Sequence, residues 1–373
     1  MKRYLVSGVS LITILVILSI TVLFAYSWLP AKIHYQIHKT FRISQIEDGT
    51  YIYLGIVVPQ SGPYQTVKNL NVVWNGNQER KTLAAVDTIR LWDQLVGEES
   101  VEAEVEYEII LPQGKISWEA PVEAHQLLPQ TGIESNHPEI KQTANELTDG
   151  SDQDDALEIY KFTSNHLEYT EYGCEETNLS ALEAFRSGIG ACIGYSRLMV
   201  ALCRAAGIPA QMVIGSVLPD TLFSLPQTIS SGTPGGGHAW VEYNTQEIWH
   251  LADPSWGQNY TSLLSFNRND GHHLSFGEFD QFSDAKRDLF NWAAEQASPM
   301  DEGLTYIFAA SGGQTQIAPE TSIIKTWDGR WVNTLFALAV VTYLLCKIRD
   351  LLIRRAVRDE TGGNSKLDST KKD

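Results

Sequence analysis

Gly188-Ile189-Gly190-Ala191-Cys192-Ile193-Gly194-Tyr195-Ser196 leads directly into the apolar run Leu198-Met199-Val200-Ala201-Leu202, and this junction decides how the chain reads. A cysteine between glycines, an apolar stretch, and the breakers Gly207 and Pro209 predict a helix from about Cys192 to Ala206. Its first turn would hold the thiol where amide N–H groups and the macrodipole favour negative charge. Cys203 lies eleven residues on, on the same helix face but roughly 16 Å along the axis. It cannot share a small site with Cys192 and reads as core.

Two segments downstream complete a candidate nucleophile, base and orienter: Gly237-His238-Ala239-Trp240-Val241-Glu242 and Ala252-Asp253-Pro254-Ser255-Trp256. His238–Asn244 and Glu247–Asp253 read as the arms of a hairpin with Thr245–Gln246 at its tip. That register sets His238 directly opposite Asp253, with Cβ atoms about 5 Å apart, close enough for a carboxylate to hold an imidazole N–H. The backbone N–H of Cys192 is a natural oxyanion donor. Asn165 or Tyr169, after the preceding helix, is a candidate for the second, with capping or packing as the alternative role. Trp240 and Trp256 are candidates for the wall of a substrate cleft, core packing being the other use of such residues.

Other features point away from metals and phosphates. Gly235-Gly236-Gly237 lacks the strand–loop–helix setting of a phosphate cradle. His272 and His273 are adjacent and would face opposite ways on a strand, so no metal site is expected there. No cysteine pair has zinc-site spacing, and a Cys174–Cys203 disulfide stays open. No cofactor is expected.

Ser180–Gly215, with Gly188-Ile189-Gly190-Ala191-Cys192 and Arg204-Ala205-Ala206-Gly207-Ile208-Pro209-Ala210, resembles the nucleophile region of the transglutaminase-like superfamily. His238-Ala239-Trp240-Val241-Glu242 and Asp253-Pro254-Ser255-Trp256 resemble its histidine and aspartate segments. The resemblance covers roughly Asp154 to Gly277. It implies Cys192 as nucleophile, His238 as general base and acid, Asp253 as orienter, and acyl transfer through a thioester. The strands ahead of it resemble the β-domain that often precedes this core in prokaryotic, membrane-anchored members. The substrate implied is a protein or peptide amide, with hydrolysis and transfer to an amine equally open. A related acetyl transfer fits less well, because its usual thioester donor is cytosolic. The alternative class is a non-catalytic peptide-binding or envelope-assembly module, which would have no need of an intact triad.

Charge and hydropathy place this chemistry outside the cytoplasm. Formal net charge is −17 over 373 residues; Lys2 and Arg3 contribute +2, residues 331–373 contribute +3, and residues 4–330 carry −22. So acidic a body repels phosphates, which excludes nucleic acid as a partner. Leu5–Trp28 has no charged residue and is long enough to span a bilayer behind Lys2 and Arg3. A cleaved signal peptide is the other reading, with small residues at Ala25 and Ser27, but the apolar run is long for one. A second run, Trp331–Cys346, is followed by Lys347, Arg349, Arg354 and Arg355, which fits a span ending in the cytoplasm. Two spans leave both termini inside and residues 29–330 outside at the cell membrane.

Between the spans, alternation and β-branched residues at 51–58, 70–74 and 101–109 predict an antiparallel β-sandwich. The expected fold is α+β: a papain/transglutaminase-like core preceded by that sandwich and flanked by transmembrane helices. The expected divisions are an anchor (1–28), a β-sandwich (29–125), a linker (126–153) and a catalytic domain (154–300). A connector (301–330), a second transmembrane helix (331–353) and a cytoplasmic tail (354–373) follow. In the linker, Leu128-Pro129-Gln130-Thr131-Gly132 matches a sortase cleavage motif, taken as chance because a whole domain follows it.

Overall fold

Strict alternation shapes the amino-terminal strands. A computed structural model describes residues 2–83, 85–150, 152–170, 179–220, 227–231, 233–257 and 265–367. After helix α1 (Lys2–Trp28) come β1 (Ala31–Ser44), β2 (Thr50–Val58), β3 (Thr66–Val73), β4 (Asn77–Leu83), β5 (Val86–Leu95), β6 (Ser100–Lys115) and β7 (Ser117–Glu119). On β1, Ile33, Tyr35, Ile37, Phe41 and Ile43 are buried; on β6, Ala103, Val105, Tyr107 and Ile109 are. The intervening glutamates of β6 face outward, as the sequence pattern predicts.

The middle of the chain holds α2 (Pro138–Leu147), α3 (Asp152–His166), β8 (Glu168–Tyr169), α4 (Ala181–Ser187), β9 (Ile189–Gly190) and α5 (Cys192–Ala205). Then follow β10 (Ala210–Val217), β11 (Gln227–Ile229), β12 (Gly236–Thr245), β13 (Ile248–Ala252), β14 (Arg268–Asn269), β15 (His273–Glu278) and α6 (Phe279–Ala294). The chain returns through β16 (Ser298–Gly303), β17 (Tyr306–Ala310) and β18 (Gln316–Asp328) to helix α7 (Gly329–Leu367).

Pro30–Asp328 is one unit and the two terminal helices are another. Within the first, one sheet runs β11-β18-β1-β6, with β3 and β14 also on β6. A second runs β16-β17-β2-β5-β4, and a third β15-β10-β12-β13-β7. The first two face each other, with the Phe41 and Tyr306 rings 5.5 Å apart. Residues 301–328 are therefore not a connector. β18 pairs with β1 along most of its length, and β17 pairs with β2, so the sandwich is finished by residues that follow the catalytic segment. Without them β1 and β2 would be exposed edges with unpaired amides.

Residues 126–153 likewise form more than a linker. Pro138 opens α2 behind the cap His137, and Ile140 and Ala144 are buried. Arg204 on α5 donates to Leu128 O at 2.8 Å and Gln130 Oε1 at 2.6 Å, which pins the Leu128–Gly132 motif into the fold. Helix α6 buries Phe282, Ala285, Leu289 and Ala293 against the second sheet. Strand exchange closes the remaining gap between sandwich and core. β7 leaves the sandwich and adds to β13, setting Trp118 opposite Trp249.

At the centre lies α5, buried at every residue from Gly194 to Arg204 and packed on β12 and β10. Leu198, Met199, Val200 and Leu202 each contribute about 1.5–3 kcal/mol by leaving water. A helix buried along its whole middle is interior, and that fixes Cys192 at its entrance.

In the other unit, the Tyr26 and Trp331 rings lie 5.2 Å apart, and the Arg330 guanidinium sits 4.4 Å from the Tyr26 ring. Among the described residues, Gly329–Ile348 is the stretch long and apolar enough to cross a membrane; Thr13–Trp28 is a shorter apolar helix.

Candidate active site

Cys192 is the first residue of α5, with Ala191 as its cap in extended conformation. Amides of a first helical turn lack intrahelical partners and point at whatever occupies the entrance. The thiol is half-buried and free.

His238 arrives from the neighbouring strand. Its ring is near enough to the Cys192 thiol to interact with it electrostatically, and its Nε2 is 2.7 Å from Asp253 Oδ2. Burial works against a charge on His238, but Asp253 and then Cys192 outweigh it and raise its pKa to about 10. Burial also opposes charge on Asp253, yet His238 and His273 hold its carboxyl well below the usual carboxylate range. The three candidate residues thus meet in one place.

They meet by a different register from the one expected. β12 and β13 pair Val241 with Ala252 and Thr245 with Ile248, and the tip is Gln246–Glu247, both with left-handed φ (55° and 66°). The ladder is two residues away from the predicted one, so His238 and Asp253 are not directly opposite. An even slip keeps every side chain on its face, and a diagonal neighbour remains in reach.

Asp253 sits just past β13, where Pro254–Trp256 form a single 3-10 turn. Its Oδ1 accepts from Ser255 N (3.0 Å) and Ser255 Oγ (2.6 Å), while its own N–H donates to Ser265 O (2.8 Å). Helix α3 clamps this turn from one face: the Tyr160 hydroxyl bonds Ser265 Oγ at 2.8 Å, and Ser164 Oγ donates to Pro254 O at 2.9 Å. A spacing of four residues puts both on that face.

His273 was not foreseen at the site. Its Nε2 lies 3.1 Å from the same Asp253 Oδ2, and its Nδ1 lies 2.9 Å from Asp270 Oδ1. His272, just ahead of β15, faces away toward Tyr35. The legible signal was Asp270, three residues ahead of His273. Linking it to Asp253 requires the β10–β15 pairing, in which His273 stands beside Val217. Ligand atoms of His238, Asp253 and His273 lie within 4.8 Å of one another. Both ring nitrogens point at one carboxylate oxygen at hydrogen-bond distance, so the three form a hydrogen-bonded network.

The remaining candidates fare differently. Asn165 turns its amide back to Lys161 O at 2.7 Å, as a residue in a last helical turn can, and presents no donor to Cys192. Tyr169 pairs with Gly190 through β8 and β9, two residues before the nucleophile, with its ring 6.0 Å from Tyr195. Trp240 is fully buried, so it is a core residue and no cleft wall. Its indole donates to the Tyr64 hydroxyl, and a Cβ on Gly215 would come within 2.3 Å of its ring, so only glycine fits there. A cavity of about 370 Å³ lined by Tyr64, Trp118, Glu242 and Glu278 is separate from the triad, none of whose residues lines it. Trp256 is half-exposed and lies 5.6 Å from His238 and 4.9 Å from His273, a lid over the pair. Cys203 is a buried free thiol, its pKa pushed up to about 12 by burial; Cys174 lies outside the described residues.

Residues 141–254, from α2 to the Asp253–Pro254 pair, match the family model described as the Transglutaminase-like superfamily. This segment is transglutaminase-like. The match begins inside α2, earlier than the resemblance in sequence placed it. Two curated relatives match part of this chain. Kyphoscoliosis peptidase of Mus musculus is 26% identical over 212 residues, covering 52% of this chain and 30% of that protein. The Homo sapiens protein of the same name is 25% identical over 239 residues, covering 59% and 34%. The chain thus spans about a third of the length of these relatives. Among solved structures, a Cytophaga hutchinsonii protein proposed to be a cysteine protease aligns at TM-score 0.46 and 14% identity, over 80% of this chain and all of that one. The periplasmic domain of TgpA from Pseudomonas aeruginosa aligns at TM-score 0.32 and 17% identity, over 66% and 97%.

Proposed function

We propose that the chain is a membrane-anchored thiol enzyme that cleaves or transfers protein or peptide amide bonds through a Cys192 thioester. The observation that carries this reading is the Cys192–His238–Asp253 line at the entrance of a buried helix, with 2.7 Å between imidazole and carboxylate. With the thiol proton held on His238, the Cys192 sulfur attacks the amide carbonyl. The oxyanion forms beside the amides of the first turn of α5. His238 returns the proton to the leaving nitrogen, and a thioester remains on Cys192. Water then gives hydrolysis, and a primary amine gives a new amide. Asp253 keeps one imidazole tautomer and one orientation throughout.

The peptidase name of the curated relatives supports the hydrolytic branch. Anchoring is supported by the apolar window Gly329–Ile348 and the basic cluster behind it in sequence, with the catalytic unit assigned to the extracytoplasmic side.

The test is full-length protein in detergent with a glutamine peptide and a labelled amine. Incorporated label means transfer; ammonia or new amino termini without label mean hydrolysis. Equal behaviour of wild type and Cys192→Ala removes the enzyme reading and leaves a peptide-binding or envelope-assembly module.

A further inference from the structure

His273 lies between two carboxylates. Asp253 Oδ2 faces its Nε2 at 3.1 Å and Asp270 Oδ1 faces its Nδ1 at 2.9 Å, and the side chain is 3% exposed. An ionised carboxylate only accepts hydrogen bonds. Asp253 also accepts from His238 and twice from Ser255, and Asp270 Oδ1 accepts the His272 N–H at 2.8 Å. A neutral His273 would turn a lone pair toward one of these acceptors, so both ring nitrogens must carry protons.

We propose that His273 is a positioning residue of the reaction: held as a buried imidazolium between Asp270 and Asp253, it offsets the charge of Asp253 and sets how tightly the Cys192–His238 pair holds its protons. This rests on the thiol-enzyme reading given above. The rings of His273 and His238 are 5.4 Å apart, within the range where a charge moves a neighbour's titration by about one unit or more. The charged and titratable groups facing His273 are Asp253 beyond β13, Asp270 ahead of β15 and His238 on β12; behind them Cys192 on α5 acts on His238, and Tyr160 on α3 lies near Asp253. The His272 ring itself turns away: it bonds Tyr35 and lies 3.4 Å from Asp220, which Lys325 pairs. The pKa of His273 is raised to about 9 against the pull of burial, with Asp270 the largest favourable influence, so the charge is in place at neutral pH.

Removing a buried positive charge makes every proton loss from the Cys192–His238 pair harder, so both limbs of its titration move to higher pH. The measurement is the pH dependence of iodoacetamide alkylation of the Cys192 peptide, by mass spectrometry, on the full chain in detergent. For His273→Gln the acidic midpoint should rise by about one pH unit. In His273→Lys, which restores a cation, it should return toward the wild-type value. Superimposable curves for wild type and His273→Gln overturn the proposal and leave the enzyme reading intact. A wild-type Cys192 that alkylates no faster than a free thiol overturns the enzyme reading and this inference together. If the variants misfold, the unaltered chain labelled with ¹⁵N-histidine decides. Two protonated ring nitrogens on His273 from pH 5 to 8 uphold the proposal, and one overturns it.

Discussion

Asp253 accepts four hydrogen bonds on two oxygens, one from each imidazole and two from Ser255. An amide in its place offers one acceptor oxygen and must set an NH₂ against either Ser255 or the imidazoles. Asp253→Asn should therefore reduce turnover by about 10³–10⁴-fold, measured as kcat, while near-ultraviolet circular dichroism shows the fold retained. His238 also sets a pH dependence of stability. Its folded-state pKa is raised from 6.5 to about 10, so its contribution is fully present below pH 6.5 and lost as pH rises through about 10. The Tm advantage of wild type over His238→Gln should accordingly be largest near pH 6 and shrink toward pH 10. Cys192, His238 and Asp253 were legible because each carries a distinctive local frame. His273 was not, because its partner Asp253 is twenty residues away and joined to it only through sheet pairing. Asn165 misled because a side-chain amide at a helix end has its own backbone to bond.

The β12–β13 hairpin shows what elements keep and lose in sequence. Both arms and their faces were visible, and the two-residue slip went undetected because Gln246–Glu247 carries no turn signature. Two consecutive left-handed residues define the type I′ tip, and Asn-Gly is the pair that adopts it with least strain. Replacing Gln246–Glu247 with Asn-Gly should raise stability by about 1 kcal/mol, read as a higher midpoint in urea with unchanged slope. Helix α5 was legible to within a residue because an apolar run bounded by Gly207 and Pro209 has little alternative to a buried helix. Helix α6 packs its apolar face, Phe282, Ala285, Leu289 and Ala293, on the second sheet. A 3.6-residue apolar spacing states that a face is buried and is silent on what covers it.

Across the molecule, the α+β class and the sandwich followed from patterning, and their interleaving did not. β18 reads as a polar connector because Thr321, Ile323 and Lys325 are buried at alternate positions between wet neighbours, with few apolar residues to mark them. Sandwich and core exchange strands through β7, β11 and β14, so chain order is a poor guide to unit boundaries. The proposed topology has its own consequence. Protease added outside intact cells should digest residues 30–328, while epitope tags at both termini stay protected until the membrane is permeabilised. Protection of the catalytic unit instead would reverse the assignment. The most direct test of the central claim is the acyl-enzyme itself. Full-length protein in detergent is mixed with p-nitrophenyl acetate, the nitrophenolate burst is recorded, and the Cys192 peptide is weighed by mass spectrometry. A burst of one equivalent per chain and a hydroxylamine-labile acetyl group on Cys192 are expected, both absent from Cys192→Ala. An equal burst from the variant, or acylation elsewhere with Cys192 unmodified, would contradict it.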